Sequence, residues 1–158
     1  MFKKIILVFL LMVTYLFGMA EDNVVMNKYL DKKYKESVFD YADVLITEAR
    51  LLLQKKYKKT LTFIPLKDNN SLVHSRDKKD IILKDNQARY FVQLIIDEKK
   101  CKNNTCLAYY ELDIYDGKKN LSQVVKTKAK IDDNEVVTIK KGHLRAAVKS
   151  ISSFMKKR

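Results

Sequence analysis

The 158-residue chain holds only two cysteines and two histidines, so the side chains that most often carry metal, redox or nucleophilic chemistry are scarce. Cys101 and Cys106 bracket Lys102-Asn103-Asn104-Thr105, a polar turn between two runs rich in β-forming residues. That spacing predicts that the two face each other at the head of a hairpin and, in an oxidising compartment, join as a disulfide. Closing so short a loop contributes roughly 2 kcal/mol by the chain-entropy argument. A redox-active pair has a C-x-x-C spacing at a helix start, and a zinc site needs two further ligands, for which only His74 and His143 exist. His74 falls in a polar stretch and reads as solvent-exposed; His143 opens the last helical pattern and reads as a cap or surface residue. Glu111 and Asp113 stand two apart on one strand face, as a carboxylate pair would, but neighbouring lysines favour a surface ion-pair ladder. The sequence has no Gly-rich phosphate loop, metal-ligand cluster or nucleophile elbow. It therefore predicts no catalytic, cofactor-binding or metal-binding residue, and a protein that is not an enzyme.

What remains is binding. Tyr109 and Tyr115, with Tyr90, project from a predicted sheet near Lys126, Lys128 and Lys130, and tyrosines among cations suit a surface that meets protein or glycan. The chain carries 32 Lys+Arg against 19 Asp+Glu, a formal charge of +13. Such a surplus attracts anionic polymers and membranes. Lysine far outnumbers arginine, however, and Asn and Ile are plentiful, a composition that an AT-rich genome also produces.

These residues depend on elements that the pattern of apolar side chains predicts. A helix is expected from about Lys33 to Lys58, with Val38, Tyr41, Ala42, Leu45, Ala49 and Leu52 as its buried stripe. Residues 21 to 33 before it read as polar and short. Thr60 to Leu66 reads as a strand that Pro65 confines to an edge or an end. Residues 67 to 80, with Asn69-Asn70-Ser71, read as a polar connection, and Ile81 to Leu83 as a further short strand. Ala88 to Glu98 is apolar on both faces, the mark of a central strand. Leu107 to Tyr115 alternates, with Ala108, Tyr110, Leu112 and Ile114 on one face, as a half-exposed strand does.

Asp116 to Asn120 is a turn, followed by a strand from Leu121 to Ile131 whose outward set is Lys126, Lys128 and Lys130. A loop over residues 117 to 120 sets Leu112 opposite Val125 and Glu111 opposite Lys126. In the preceding hairpin an unbroken ladder from Cys101–Cys106 sets Ile95 opposite Leu112 and turns Val92, Leu94 and Ile96 away from that face. Either a second layer covers that side or a bulge shifts the register. A helix from about Gly142 to Lys156, buried through Leu144, Ala147, Val148, Ile151, Phe154 and Met155, closes the chain. The expected fold is α+β: a mostly antiparallel sheet of about four strands with two helices packed on it.

The first twenty residues have the parts of a secretory signal. Lys3 and Lys4 precede the apolar run Ile5 to Phe17, and Gly18-Met19-Ala20 presents small residues for cleavage between Ala20 and Glu21. Thirteen helical residues rise about 20 Å, short of the roughly 30 Å hydrocarbon core, so a membrane anchor is disfavoured. Residues 21 to 158 then form a single domain. Cleavage removes two lysines and no acids, so its formal charge falls from +13 to +11.

In Tyr41-Ala42-Asp43-Val44-Leu45-Ile46-Thr47-Glu48-Ala49, Ala88-Arg89-Tyr90-Phe91-Val92-Gln93-Leu94, the hairpin through Asp113-Ile114-Tyr115-Asp116-Gly117, and Leu144-Arg145-Ala146-Ala147-Val148, the chain resembles the small periplasmic α/β module of the TolB amino-terminal domain and the related LpoB and CsgG proteins. The resemblance covers roughly residues 38 to 155. It departs from that module in lacking an evident opening strand before the first helix. It implies a binding module in envelope assemblies with no catalytic residues. The expected protein is thus exported to the periplasm and binds an envelope protein or an anionic envelope polymer, with a secreted extracellular factor, or an enzyme with an unrecognised site, as the alternatives. Nucleic acid is a poor partner for an exported chain.

Overall fold

The computed structural model describes residues 23–29, 36–57, 61–66, 72–102, 105–132 and 141–156. The expected signal segment and its cleavage site at Ala20 and Glu21 lie outside these residues, as do Asn69-Asn70-Ser71. The chain runs β1 (Asn23–Tyr29), α1 (Glu36–Lys56), β2 (Phe63–Pro65), α2 (Arg76–Asp85), β3 (Ala88–Lys102), β4 (Thr105–Asp116), β5 (Leu121–Asp132) and α3 (Lys141–Lys156). The strands form one sheet in the order β2-β1-β3-β4-β5. It is an α+β fold, with one strand and one helix more than the sequence suggests.

The added strand is β1, which pairs parallel with both β2 and β3. Its apolar run is only Val24-Val25-Met26, which is why it is inconspicuous in the sequence. Neighbouring strands on both edges and helices on both faces bury all three, together with Asn27. Asn27 Nδ2 donates to Gln93 Oε1 of β3 at 2.8 Å, which gives its amide N–H a partner inside the sheet. β2 is an edge strand, and Pro65 is its last residue. The ladder passes over the missing donor: Leu66 N–H donates to the Met26 carbonyl at 3.0 Å.

The added helix is α2, where the sequence suggests a polar connection and a short strand. The β-branched pair Ile81-Ile82 favours a strand, but the end signals favour a helix. Ser75 caps it by accepting from Lys78 N–H at 3.3 Å, Asp77 sits in the first turn and Lys84 in the last. Asn86 closes it, its backbone and side-chain N–H groups both donating to the Ile82 carbonyl.

The α1 and α3 helices share one face of the sheet. Tyr41, Ala42, Leu45 and Leu53 of α1 meet Ile151, Phe154 and Met155 of α3 over Val24, Met26, Val92, Leu94, Tyr110, Leu112 and Ile114. The α3 stripe is the one expected. In α1 the expected Leu52 is 42% exposed, and Leu53 takes its place at 0%. The stripe Tyr41, Ala42, Leu45, Ala49, Leu53 keeps a three-to-four-residue step and closes one residue later. Gln54 then anchors the approach to β2, donating to the Leu61 carbonyl and accepting from Phe63 N–H.

The α2 helix covers the opposite face, with Leu83 and Val73 against Val25, Phe91 and Tyr115. The β1-α1-β2 and β2-α2-β3 crossovers run in opposite directions along the sheet over opposite faces, so both have the same hand, as the right-handed rule demands of both. Of the two alternatives for the β3–β4 hairpin the bulge holds: a register shift between Ile96 and Glu98 sets Leu94 opposite Leu112 and turns Val92 and Leu94 to the α1–α3 face, while α2 covers the other face with Phe91. The β4–β5 register is the one expected, Leu112 opposite Val125 and Glu111 opposite Lys126.

Candidate functional site

The sheet face that carries α2 has a covered half and an open half. In the covered half a small apolar cluster adjoins a buried polar layer. Gln93 Oε1 accepts from both Asn27 Nδ2 and Val73 N–H. Lys79, on the inner side of α2, pairs with Asp113 of β4, and both are nearly excluded from solvent. The Lys79 ammonium also lies 5.6 Å from the centre of the Tyr115 ring. Tyr115 donates its hydroxyl proton to Asp80 at 2.7 Å. Burial, and then the bond to Asp80 and its charge, pushes the Tyr115 hydroxyl up to about 12. Among the described residues Gln93 Nε2 and Asp113 Oδ1, on directly opposed positions of β3 and β4, have no hydrogen-bond partner.

Where the β4–β5 turn begins, Arg89 makes a two-pronged pair with Asp116 at 3.1 and 2.9 Å and stacks over Tyr90 at 4.7 Å. Asp116 Oδ1 also accepts from the N–H groups of Lys118 and Lys119, which shapes the turn. Burial pushes the Asp116 carboxyl up, but Arg89 and the two amides outweigh it and hold the carboxyl below its ordinary value.

The open half lies on β4 and β5, beyond the reach of α2. Tyr109 is half-buried there, Lys126 has 69% of its side chain exposed, and Val124 is 54% exposed. Lys126 pairs with Glu111 at 2.7 Å across the strands, a solvent-screened contact of little weight for stability. The backbone register sets Lys128 opposite Tyr109 and Lys130 opposite Leu107. Tyr115, expected on this surface, is instead 1% exposed beneath α2, so it cannot meet a partner. A tyrosine at an outward-facing strand position looks surface-bound only while the helix above it goes unrecognised. The carboxylate pair divides in the same way: Glu111 stays on the open half with Lys126, while Asp113 is taken by a lysine from α2.

Cys101 and Cys106 are register partners at the head of the β3–β4 hairpin. His74 is exposed, as expected. His143 is half-buried, and its Nδ1 hydrogen-bonds the Tyr41 hydroxyl, tying α3 to α1, while Tyr41 stacks on Tyr110 at 5.6 Å. Burial pushes the Tyr41 hydroxyl up to about 12, and burial and then the nearby Tyr41 push Tyr110 higher still. Among the described residues no group of three or more His, Cys, Asp or Glu is placed to hold a metal ion. No helix among them is long and apolar enough to cross a membrane.

The fold is that of a small α+β module with a mixed five-stranded sheet. No family model matches the chain, and neither does any curated protein. Similar solved structures include the PelC dodecamer from Paraburkholderia phytofirmans, at 10% identity over 88% of this chain and 91% of that one, with a TM-score of 0.47. The lipoprotein GNA1162 from Neisseria meningitidis is similar at 6% identity over 86% and 99% of the two chains, with a TM-score of 0.45. A putative neuraminyllactose-binding hemagglutinin homolog from Helicobacter pylori is similar at 16% identity over 87% and 82%, with a TM-score of 0.34. None reaches 0.5, and none bears on function. TolB, LpoB and CsgG are not among these structures.

Proposed function

We propose that this chain is an exported, non-enzymatic binding protein of the bacterial envelope, acting in the periplasm, whose working surface is the open half of the sheet. The observation that carries this reading is Lys126, exposed on sheet surface that α2 leaves uncovered, with Lys128 and Lys130 at the next alternate register positions of β5, the first of them opposite Tyr109. Lys126 keeps its charge in water while Tyr109 offers a flat, partly apolar contact, a combination suited to an acidic partner. The signal segment supports export, and the opposed Cys101 and Cys106, joined as a disulfide, suit an oxidising compartment.

The test is binding of the exported chain to isolated cell-wall sacculi and to vesicles containing anionic lipid, each over a range of salt, beside a variant with Lys126, Lys128 and Lys130 changed to Gln. Salt-sensitive binding that the triple variant loses supports the reading. Equal binding by the variant sinks the assignment of the surface, and recovery of the native protein mainly from culture medium sinks the compartment.

A further inference from the structure

We infer that the free edge of β5 is a docking site for an extended acidic segment of a partner protein, which adds to the sheet as a sixth strand. This deepens the binding reading above and rests on it. β5 ends the strand order, and among the described residues no strand pairs along its outer edge. The edge is twelve residues long, from Leu121 to Asp132, whereas the opposite edge, β2, has three. A long edge presents a row of backbone N–H and C=O groups ready to pair with another chain, and native proteins usually keep such edges short, bulged or covered. No register shift interrupts the pairing of β5 with β4, so the strand is regular along its length. It also leaves two large apolar side chains in water, Leu121 at 51% and Val124 at 54% exposed.

Charge selects the occupant. Lys126, Lys128 and Lys130 recur at every second position, the period at which side chains share a strand face. Two β5 edges paired with each other would crowd these lysines together, so a second copy is disfavoured. A segment with carboxylates at alternate positions meets each lysine in turn, in the way Glu111 already meets Lys126 from the β4 side. Val124 continues the same alternation toward the turn, so an antiparallel segment reads acid, acid, acid and then apolar.

The probe is a short synthetic peptide with Glu at three alternate positions and Val two residues beyond the last. Three companions serve as controls: a version N-methylated at alternate amides, a version with Lys at the last Glu, which faces Lys126, and an anionic polysaccharide. Binding to the exported chain is followed by fluorescence anisotropy, and amide protection along β5 by NMR. The Glu peptide should bind at least tenfold tighter than the N-methylated version and slow exchange of the outward-facing β5 amides. Lys126→Glu should lose about tenfold and recover with the Lys-bearing peptide. Equal binding by the N-methylated version overturns strand addition but leaves an electrostatic face, so the binding reading survives. Binding of the polysaccharide alone also overturns it, as does β5 protection that rises with protein concentration without peptide, which makes a second copy the occupant. Failure of every anionic probe removes the broader reading as well.

Discussion

At the scale of single residues the buried polar groups decide more than the apolar ones. Lys79 and Asp113 sit together under α2, and removing either charge strands the other where water cannot reach it. Asp113→Ala or Lys79→Ala should therefore cost about 3–5 kcal/mol in urea unfolding, while the double change Lys79→Met with Asp113→Leu should recover much of that loss. The α1 helix offers a cleaner contrast. Leu53→Ala should destabilise by about 2–5 kcal/mol, and Leu52→Ala, one residue away but in solvent, should stay within about 0.5 kcal/mol of the parent. The tyrosines set the alkaline limit. With Tyr41 and Tyr115 at about 12 in the fold and 10.0 in the unfolded chain, the unfolded state releases protons that the fold retains. Their contribution is complete below pH 10 and declines as the pH rises from about 10 to about 12. Urea midpoints measured across that window should fall, and the fall should be shallower in Tyr41→Phe. Asp116 works at the other end, since its lowered carboxyl adds stability above the ordinary carboxylate range that is lost on acidification.

At the scale of elements, the antiparallel half of the sheet is legible in the sequence and the parallel half is not. Strands β4 and β5 alternate openly because one face is apolar and the other carries polar and aromatic side chains, and Glu111 with Lys126 fixes their register independently of the apolar pattern. β1 hides because a strand surrounded on all sides needs only a few apolar residues, and the amide N–H of its one fully buried polar residue, Asn27, is taken up by Gln93. α2 hides because it buries little besides Leu83 and Lys79, so its signature lies in its caps rather than its stripe. The error at the candidate site follows from that one: with α2 unrecognised, Tyr115 reads as a surface residue, whereas Lys126 and Tyr109, beyond the helix, lie on the surface expected of them. Since its caps define it, Ser75→Ala should cost about 1 kcal/mol, seen as faster amide exchange over residues 76 to 85 while the centre of β3 stays protected. Changing Cys101 and Cys106 to Ser should lower the melting temperature by a few degrees and leave the fold intact, as expected of a clamp on a hairpin already held by its ladder.

At the scale of the whole molecule, charge and topology act on opposite sides of one sheet. The α1–α3 side is closed by apolar packing and by polar ties between the helices, Lys56 to Ser152 and Tyr41 to His143. The α2 side is closed over β1, β3 and the turn-proximal part of β4, so its open surface lies on β5 and the far part of β4. A positive surplus spread over the surface repels copies of the chain and speeds encounter with acidic partners, and both effects weaken as salt rises. The protein should accordingly remain monomeric at low salt in sedimentation velocity, with any self-association appearing only as salt screens the charge.

The amide pair inside the sheet has one more consequence. Val24-Val25-Met26 would satisfy the core almost equally well if β1 slid along β3 by two residues, because such a slide keeps every side chain on its own face. Asn27, however, would then lie opposite Phe91 or Ile95 instead of Gln93, with its amide among apolar atoms. The Asn27–Gln93 pair is a key cut for a single notch: it adds little to the strength of the sheet and rejects the neighbouring alignments, so the first strand of the domain locks at one position only.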